Sequence, residues 1–185
     1  MAKGSEASDS SYESDGKLGV QVEIVDAEDR PLPFGEVGRL RYRSPATPSG
    51  SYKGDSSEAF RDGWFYPGDL AALDADGFLS LRGRAKDMII RGGVNIYPGD
   101  VESVLLSHPA VADAAVVGVP SPELGEEVAA FVVLKAPVGM DDLVALCRSR
   151  LASFKVPKRI TVLETLPKNS LGKVLKRELV EMAAG

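Results

Sequence analysis

One cysteine and one histidine occur in the 185 residues of this chain, and no apolar run approaches the roughly 20 residues of a membrane span. A single cysteine cannot form an internal disulfide, which is typical of a reducing compartment, so we expect a cytoplasmic protein without a membrane span. Basic residues are also scarce, because 22 Lys and Arg stand against 27 Asp and Glu. The net charge of −5 argues against nucleic-acid and anionic-membrane partners, whose recognition needs a basic patch.

The two scarce reactive residues are predicted to pack rather than to react. His108 falls at the end of the apolar stripe that Val101, Val104 and Leu105 form, and Cys147 lies on the inner face of a second apolar stripe. Catalysis by a histidine base is therefore hard to place in this chain. We assign no thiol nucleophile and no metal site.

Residues 18–84 have the pattern of a small antiparallel sheet or barrel. Apolar and polar residues alternate over 20–24 and again over 35–42, with turn-forming residues between the two segments. The sequence Asp-Ala-Asp-Gly at 74–77 indicates a hairpin turn. Residues 1–17 are small, polar and aperiodic, which predicts an unstructured tail or the edge of a cloned segment.

Beyond residue 98, helical periodicity alternates with short apolar runs, which predicts a mixed unit of helices and strands. Glu127 and the four residues before it are predicted to form an exposed turn. Leu175, Leu179 and Met182 form the predicted core stripe of the last helix. The predicted helices begin at 98, cover 141–152 and cover about 174–182, and the predicted strands cover 111–119, 128–134 and 159–163.

Residues 83–102 separate these two parts and are predicted to form a hinge. Charged residues cluster at 84–87, and a short apolar strand is indicated at 88–90. Gly92-Gly93 then gives the backbone the freedom that a pivot or a close approach of a ligand requires.

Three motifs occur along the chain: Gly-Trp-Phe-Tyr-Pro-Gly-Asp-Leu at 63–70, Gly-Arg-Ala-Lys-Asp-Met-Ile followed by Gly-Gly-Val-Asn-Ile-Tyr-Pro within 83–98, and Pro-Lys-Asn-Ser-Leu-Gly-Lys at 167–173. Their order and spacing resemble the adenylate-forming acyl-CoA synthetase superfamily of acyl-CoA ligases, adenylation domains and luciferases. The resemblance implies an α+β fold, with a small antiparallel β-barrel-like subdomain at 18–84, a hinge, and a compact α+β C-terminal lid domain at 85–185.

The resemblance also implies a C-terminal portion of a longer enzyme. In this superfamily a large N-terminal domain carries a Gly/Ser/Thr-rich phosphate loop and the acyl-substrate pocket. No Gly-rich phosphate loop of either usual pattern occurs in the present chain. We therefore expect the chain to be inactive alone, with its own N-terminal domain as its main partner and with Mg²⁺ bound mainly through that domain.

Three positions match family residues at the nucleotide, and a fourth departs from the family pattern. Asp69 matches the aspartate that accepts hydrogen bonds from the ribose 2′ and 3′ hydroxyls, although an isolated Gly-Asp more often caps a turn. Arg84 matches a contact to the ribose and phosphate. Pro67 stands where most members have Thr, so a hydroxyl contact is lost there. Lys173 matches the lysine that stabilises developing charge on the phosphate during adenylation.

Thioester formation is implied to use a second arrangement of the same domain. Lys86 matches the pivot of the backbone, and Gly92 and Gly93 match the positions that face the pantetheine arm of CoA. A domain that swings about Lys86 can present Lys173 in the first step and the two glycines in the second.

The implied function is that of a carboxylic acid–CoA ligase, which activates a carboxylate with ATP as acyl-AMP and transfers the acyl group to CoA. Two alternatives stay open, namely an enzyme that loads a carrier-protein phosphopantetheine and a non-catalytic interaction module. The joint presence of Asp69, Arg84, Lys86, Gly93 and Lys173 favours an enzyme. Lys173 also resembles the site that protein acetyltransferases modify in such enzymes, which implies an acetyltransferase as a further partner.

Overall fold

Two separate sheets organise residues 12–13, 19–45 and 59–184, which are the residues that this computed structural model describes. The chain divides into two units between Lys86 and Asp87. Both sheets are largely antiparallel and helices accompany the second one, so the fold is α+β as predicted. The predicted domain boundary, between 84 and 85, lies two residues before this division.

The first unit contains a seven-stranded antiparallel sheet. Its central strand pairs with three others, and among the described strands its last one pairs with just the strand before it. The described strands do not close on themselves, so the predicted barrel-like subdomain is an open sheet in this part of the chain. The strands are β1 (Tyr12–Glu13), β2 (Gln21–Val25), β3 (Gly38–Arg43), β4 (Phe60–Arg61), β5 (Trp64–Phe65), β6 (Asp69–Leu73) and β7 (Leu79–Arg84).

A small apolar core lies on one face of this sheet. The buried side chains of Ile24, Leu40, Ala71 and Leu73 come from β2, β3 and β6, and they form one cluster. Their spacing follows the alternation seen in the sequence, because successive side chains of a strand point to opposite faces. The predicted hairpin at 74–77 joins β6 and β7, where Asp74 Oδ1 accepts hydrogen bonds from two backbone N–H groups.

The predicted tail at the start of this unit is described only in part. Tyr12 and Glu13 pair with β2, although they belong to the segment that the sequence predicts to be a tail. The other residues of that segment lie outside the described residues, as do residues 18 and 46–58.

The second unit is built on a five-stranded sheet with three helices. Its centre is a long antiparallel hairpin, whose second strand pairs also with a parallel neighbour and, at its first residue, with a short strand. The strands are β8 (Ile89–Arg91), β9 (Val94–Ile96), β10 (Val111–Ser121), β11 (Gly125–Leu134) and β12 (Arg159–Val162), and the helices are α1 (Pro98–Leu106), α2 (Met140–Arg150) and α3 (Lys176–Ala184).

Both faces of the central hairpin are buried. Helices α1 and α2 cover one face, where Leu105 and Leu143 belong to the same cluster as Val116 of β10. Helix α3 covers the other face, where Leu179 belongs to a cluster with Phe131 of β11. Burial on both faces explains why β10 and β11 read as continuous apolar runs rather than as alternating ones.

Two predicted features of this unit are confirmed, namely the start of its first helix at Pro98 and the burial of Cys147. Pro98 is the first residue of α1, where its missing N–H group costs no hydrogen bond. Cys147 has no exposed surface and packs within α2, and burial raises the pKa of its thiol. His108 lies just past α1, partly buried, and its Nδ1 accepts a hydrogen bond from the backbone N–H of Ala110. None of the described helices has the length and apolar content needed to cross a bilayer.

Two details of the sequence prediction are wrong. Strand β11 begins at Gly125, so Glu127 lies within a strand and is 7% exposed rather than part of an exposed turn. The last helix begins at Lys176, and its buried residue is Leu179, whereas Met182 is 53% exposed. Val180 and Ala183 pack in the same cluster as Leu179, and at about 100° per residue they lie on the side of Leu179 opposite to Met182, so the packed face turns away from Met182.

Candidate active-site residues

The two predicted nucleotide-binding residues lie directly opposite each other. Asp69 is the first residue of β6 and Arg84 the last of β7, and the strand register pairs them. Arg84 Nε lies 2.9 Å from Asp69 Oδ1, and Arg84 Nη1 donates a hydrogen bond of 2.8 Å to the carbonyl of Pro67. The guanidinium group therefore fixes both the carboxylate and the turn that precedes it.

In the turn before Asp69, Pro67 retains one hydrogen-bonding group, its backbone carbonyl. Proline offers no hydroxyl and no N–H, but its carbonyl accepts the bond from Arg84. Gly68 follows with a φ of +80°, a backbone conformation that L side chains rarely adopt. The main-chain carbonyl of Gly68 accepts a hydrogen bond of 2.9 Å from the N–H of Ala85. This turn is therefore attached to the end of β7 at two points.

A cavity of about 700 Å³ lies beside Asp69, and its lining includes three residues that the sequence analysis did not single out, Arg39, Arg61 and Tyr66. The ring of Tyr66 has the guanidinium carbon of Arg61 at 4.3 Å from its centroid and that of Arg39 at 5.8 Å. Asp29 Oδ1 accepts hydrogen bonds from the Tyr66 hydroxyl at 3.0 Å and from Arg39 at 2.9 Å. The cavity thus combines cations, an aromatic ring and carboxylates, which are groups that can bind an anionic, ring-containing ligand.

Lys86 lies in a 3₁₀ turn, Ala85–Asp87, at the point where the two units divide. It is exposed and belongs to neither sheet. A residue in such a short turn gives up few interactions when its backbone dihedrals change, which is the property that a pivot needs.

The predicted pantetheine-facing residues form one hairpin turn. Gly92 and Gly93 connect β8 to β9, with φ values of +56° and +81°. Gly92 donates its N–H to the carbonyl of Leu124 at 2.8 Å, which attaches this turn to the turn between β10 and β11. Both glycines are exposed, and a Cβ on Gly93 would meet no atom within 4 Å. The backbone at Gly93 is therefore open to a ligand.

A partly buried ion pair supports this glycine turn, and the sequence analysis missed it. Arg91 Nε and Nη2 donate to the two carboxylate oxygens of Glu127 at 2.5 and 3.1 Å. The hydrogen bond from Arg91 holds the pKa of the Glu127 carboxyl below its usual range, although burial acts in the opposite direction. The neighbouring Glu126 accepts a bond of 2.6 Å from the N–H of Ile90. Two adjacent glutamates of β11 thus hold β8.

Lys173 lies in the loop that precedes α3, and its side chain is exposed. Its N–H donates to Asn169 Oδ1 at 2.9 Å, and its carbonyl accepts a bond of 2.9 Å from the N–H of Asn169. Among the described residues of its unit, its ammonium group has no hydrogen-bond or ion-pair partner. The structure therefore fixes the backbone of Lys173 and leaves its charge free.

Residues 100–173 match the family model described as the AMP-binding enzyme C-terminal domain. The chain belongs to the AMP-binding enzymes, as a C-terminal portion. This matched segment begins within α1, includes β10, β11, α2 and β12, and ends on Lys173. Every residue of it lies in the second unit.

The relatives of this AMP-binding enzyme portion include CoA ligases. A long-chain-fatty-acid–CoA ligase from Salmonella typhimurium is 41% identical over 178 residues, which cover 92% of this chain and 32% of the relative. A solved o-succinylbenzoate CoA synthetase from Bacillus subtilis, in complex with the acyl-adenylate intermediate OSB-AMP, has 38% identity and a TM-score of 0.81, covering 86% of this chain and 33% of that one. The chain spans about a third of the length of the curated relatives it matches.

A third similar protein catalyses a different transfer according to its name. The amide bond synthetase from Marinactinospora thermotolerans has 39% identity and a TM-score of 0.83, over 88% of this chain and 34% of that one. The fold of this C-terminal portion is therefore shared by enzymes named for different acceptors.

The Arg91–Glu127 pair provides a test of how the glycine turn is supported. The lowered pKa of Glu127 means that its contribution to folding is present above the ordinary carboxyl range and is lost as the pH falls through the lower folded-state pKa. We expect Glu127→Gln to lower the free energy of unfolding by roughly 1–2 kcal/mol at pH 7, because the negative charge and one of the two oxygens that accept from Arg91 are lost.

The measurement is urea unfolding followed by circular dichroism between pH 7 and pH 3. The difference between wild type and Glu127→Gln should shrink as the pH falls below about 4.3, where a carboxyl group in the unfolded chain becomes protonated. Glu123→Gln is the matched control, since Glu123 is exposed in the adjoining turn. A difference that stays constant over this pH range would contradict the assigned role of the ion pair.

Proposed function

We propose that this chain is the C-terminal part of an acyl-CoA synthetase, which in the complete protein activates a carboxylate with ATP as acyl-AMP and transfers the acyl group to CoA. The observation that carries the proposal is the 41% identity to a CoA ligase over 92% of the chain. The remainder of the complete protein supplies the main ATP and acyl pockets and the Mg²⁺ site. An ATP-dependent ligase whose single cysteine is buried fits a cytoplasmic location.

Asp69 and Arg84 are the proposed nucleotide-binding pair. The carboxylate of Asp69 has two oxygens, which suits it to accept hydrogen bonds from the ribose 2′ and 3′ hydroxyls. Arg84 contacts Oδ1 of this carboxylate and the Pro67 carbonyl, so it orients Asp69 as well as adding positive charge near the phosphate. Both side chains are partly exposed, at 43% for Arg84 and 27% for Asp69. The pair is therefore accessible to a nucleotide.

Lys173 is the proposed catalytic residue of adenylation. Attack of a carboxylate on the α-phosphate of ATP brings two anions together and spreads more negative charge over the phosphoryl oxygens. A free ammonium group lowers the barrier by stabilising that charge. The exposed and unpaired side chain of Lys173 has the required charge available. The same exposure supports modification by a protein acetyltransferase, since acetylation removes that charge.

Lys86 and the glycine turn are proposed to serve the second step. Rotation about Lys86 exchanges Lys173 for the Gly92-Gly93 turn at the reacting centre. A thiol on a narrow pantetheine arm needs an approach without bulky side chains, and Gly93 presents open backbone. The bonds from Arg91 to Glu127 and from Gly92 to Leu124 hold that turn in place.

Three kinds of acyl acceptor are compatible with this proposal. CoA and a carrier protein present the same phosphopantetheine thiol, and the likeness to an amide bond synthetase adds an amine. The identity to CoA ligases favours CoA. The alternative of a non-catalytic interaction module is opposed by the presence of Asp69, Arg84 and Lys173 in the places described above.

The proposal is tested with the complete protein and with this chain alone. We expect the complete protein to catalyse carboxylate-dependent exchange of pyrophosphate into ATP, and to form acyl-CoA when CoA is added. The isolated chain should show neither activity, because it lacks a phosphate loop. A panel of carboxylates with CoA, a phosphopantetheinylated carrier protein or an amine as acceptor identifies the products by mass spectrometry. Exchange by the isolated chain, or its absence from the complete protein with every carboxylate, would refute the proposal.

Substitution of Lys173 separates the two half-reactions. In the complete protein we expect Lys173→Ala to slow adenylation on the order of 10²-fold or more, because one charge-stabilising contact is lost from the transition state. Thioester formation from preformed acyl-adenylate should change little. Lys135→Ala removes another exposed lysine of the same unit and should leave both steps intact. Equal losses in the two half-reactions would show that Lys173 does not act specifically in adenylation.

Substitution of Lys86 should have the opposite effect. Lys86→Pro fixes φ at about −65° in a residue that must change its dihedrals. We expect adenylation to survive and CoA-dependent turnover of the complete protein to fall. Lys86→Ala removes the side chain without restricting φ, and it should turn over normally. Normal turnover by the proline variant would place the pivot at another residue.

A further inference from the structure

Asn169 makes an unusual number of bonds to the backbone of the loop that carries Lys173. Its side-chain Oδ1 accepts hydrogen bonds from the N–H of Leu171 at 3.0 Å and from the N–H of Lys173 at 2.9 Å. Its own N–H donates to the Lys173 carbonyl at 2.9 Å, and its carbonyl accepts from the N–H of Gly172 at 2.9 Å. One residue therefore engages both backbone polar groups of Lys173.

The base of this loop is closed by its own backbone contacts and is attached to the sheet through Lys168. Lys168 Nζ lies 2.7 Å from Asp113 Oδ2 of β10, and Lys168 forms a β-bridge with Val174. The N–H of Leu175 donates to the carbonyl of Pro167 at 2.8 Å. The loop is thus closed at its base, and what remains to be fixed is the tip between these attachments.

The tip has little else to hold it. Leu171 is 90% exposed, and Gly172 has a φ of +78° and would place a Cβ in open space. Packing therefore contributes almost nothing to the conformation of the tip, and the bonds to Asn169 must define it. Side-chain oxygens of Asn form such local bonds to backbone N–H groups in turns.

We propose that Asn169 is a positioning residue for Lys173 in adenylation, an inference that rests on the catalytic role of Lys173 proposed above. The carboxamide oxygen fixes the direction in which the Lys173 side chain leaves the backbone. A lysine side chain has four rotatable bonds, so an unfixed backbone would spread its ammonium group over many more positions. Catalytic rates are sensitive to such displacement, and a shift of about 1 Å can cost about 10²-fold.

The test uses the complete protein and three variants of the tip. Asn169→Ala removes the accepting oxygen, Asn169→Asp retains an oxygen at the same place, and Ser170→Ala changes the exposed neighbour. We expect Asn169→Ala to reduce the adenylation rate about 10- to 100-fold while thioester formation from preformed acyl-adenylate is unchanged. Asn169→Asp should restore most of the adenylation rate, and Ser170→Ala should behave as wild type.

A double variant distinguishes positioning from a general structural role. If Asn169 acts through Lys173, Asn169→Ala should cause no further loss of adenylation in a protein that already carries Lys173→Ala. A structural defect would instead lower both half-reactions and would reduce the rate of the Lys173→Ala protein again. Thermal unfolding of each variant verifies that the fold is retained.

The outcomes separate this inference from the proposed function. Normal adenylation by Lys173→Ala overturns the role of Lys173, and with it this inference. Loss of adenylation in Lys173→Ala together with normal adenylation in Asn169→Ala overturns this inference alone. Equal losses in the two half-reactions of Asn169→Ala, or a further loss in the double variant, also overturn it. The selective loss, its restoration by Asn169→Asp and the absence of a further loss support it.

Discussion

Burial of the β10–β11 hairpin on both faces is the constraint on which the second unit depends. Alternate residues of β10 belong to different apolar clusters, since Val116 packs with α1 and α2 while Ala115 and Val117 pack on the side of α3. A shift of one residue in the pairing would exchange the two sets of side chains, so packing on both faces holds the register firmly. The ten paired positions of the hairpin therefore provide a rigid reference for whatever is attached to it.

The candidate functional groups of this unit are attached to that hairpin at different points. The glycine turn is held at the β10–β11 turn, through Arg91, Glu127 and the Leu124 carbonyl. The Lys173 loop is held near the start of β10, through the ion pair of Lys168 with Asp113. In the proposed mechanism the two steps require these two groups in alternation. A rigid body that carries both needs only one rotation to exchange them.

The two ion pairs at the candidate sites differ in burial, and this difference suits them to different roles. The Asp69–Arg84 pair is partly exposed, and pairs of this kind contribute little to stability, about 0–1 kcal/mol, so binding a ligand there breaks little. In the Arg91–Glu127 pair the glutamate side chain is 9% exposed, and loss of its partner leaves a charge with poor access to water. Among the described residues of its unit, Lys173 has no ion-pair partner, so its charge is available to a ligand. The second pair therefore supports structure, whereas the first pair and Lys173 are available for binding.

The amino-acid sequence by itself determined the order of most strands and helices, the burial of Cys147, and the family, because periodicity and motifs are local properties. Spacing in the sequence also located the hairpin at 74–77 and the glycine turn, where residue type decides the backbone conformation. Only the tertiary structure decided that Glu127 is buried against Arg91 and that the Tyr66 hydroxyl bonds to Asp29 beside two arginines. These partners are 36 and 37 residues apart, and no local pattern couples residues at such separations. It also decided that Asn169 holds Lys173, since a lone asparagine before a glycine signals a turn without specifying which backbone groups it binds.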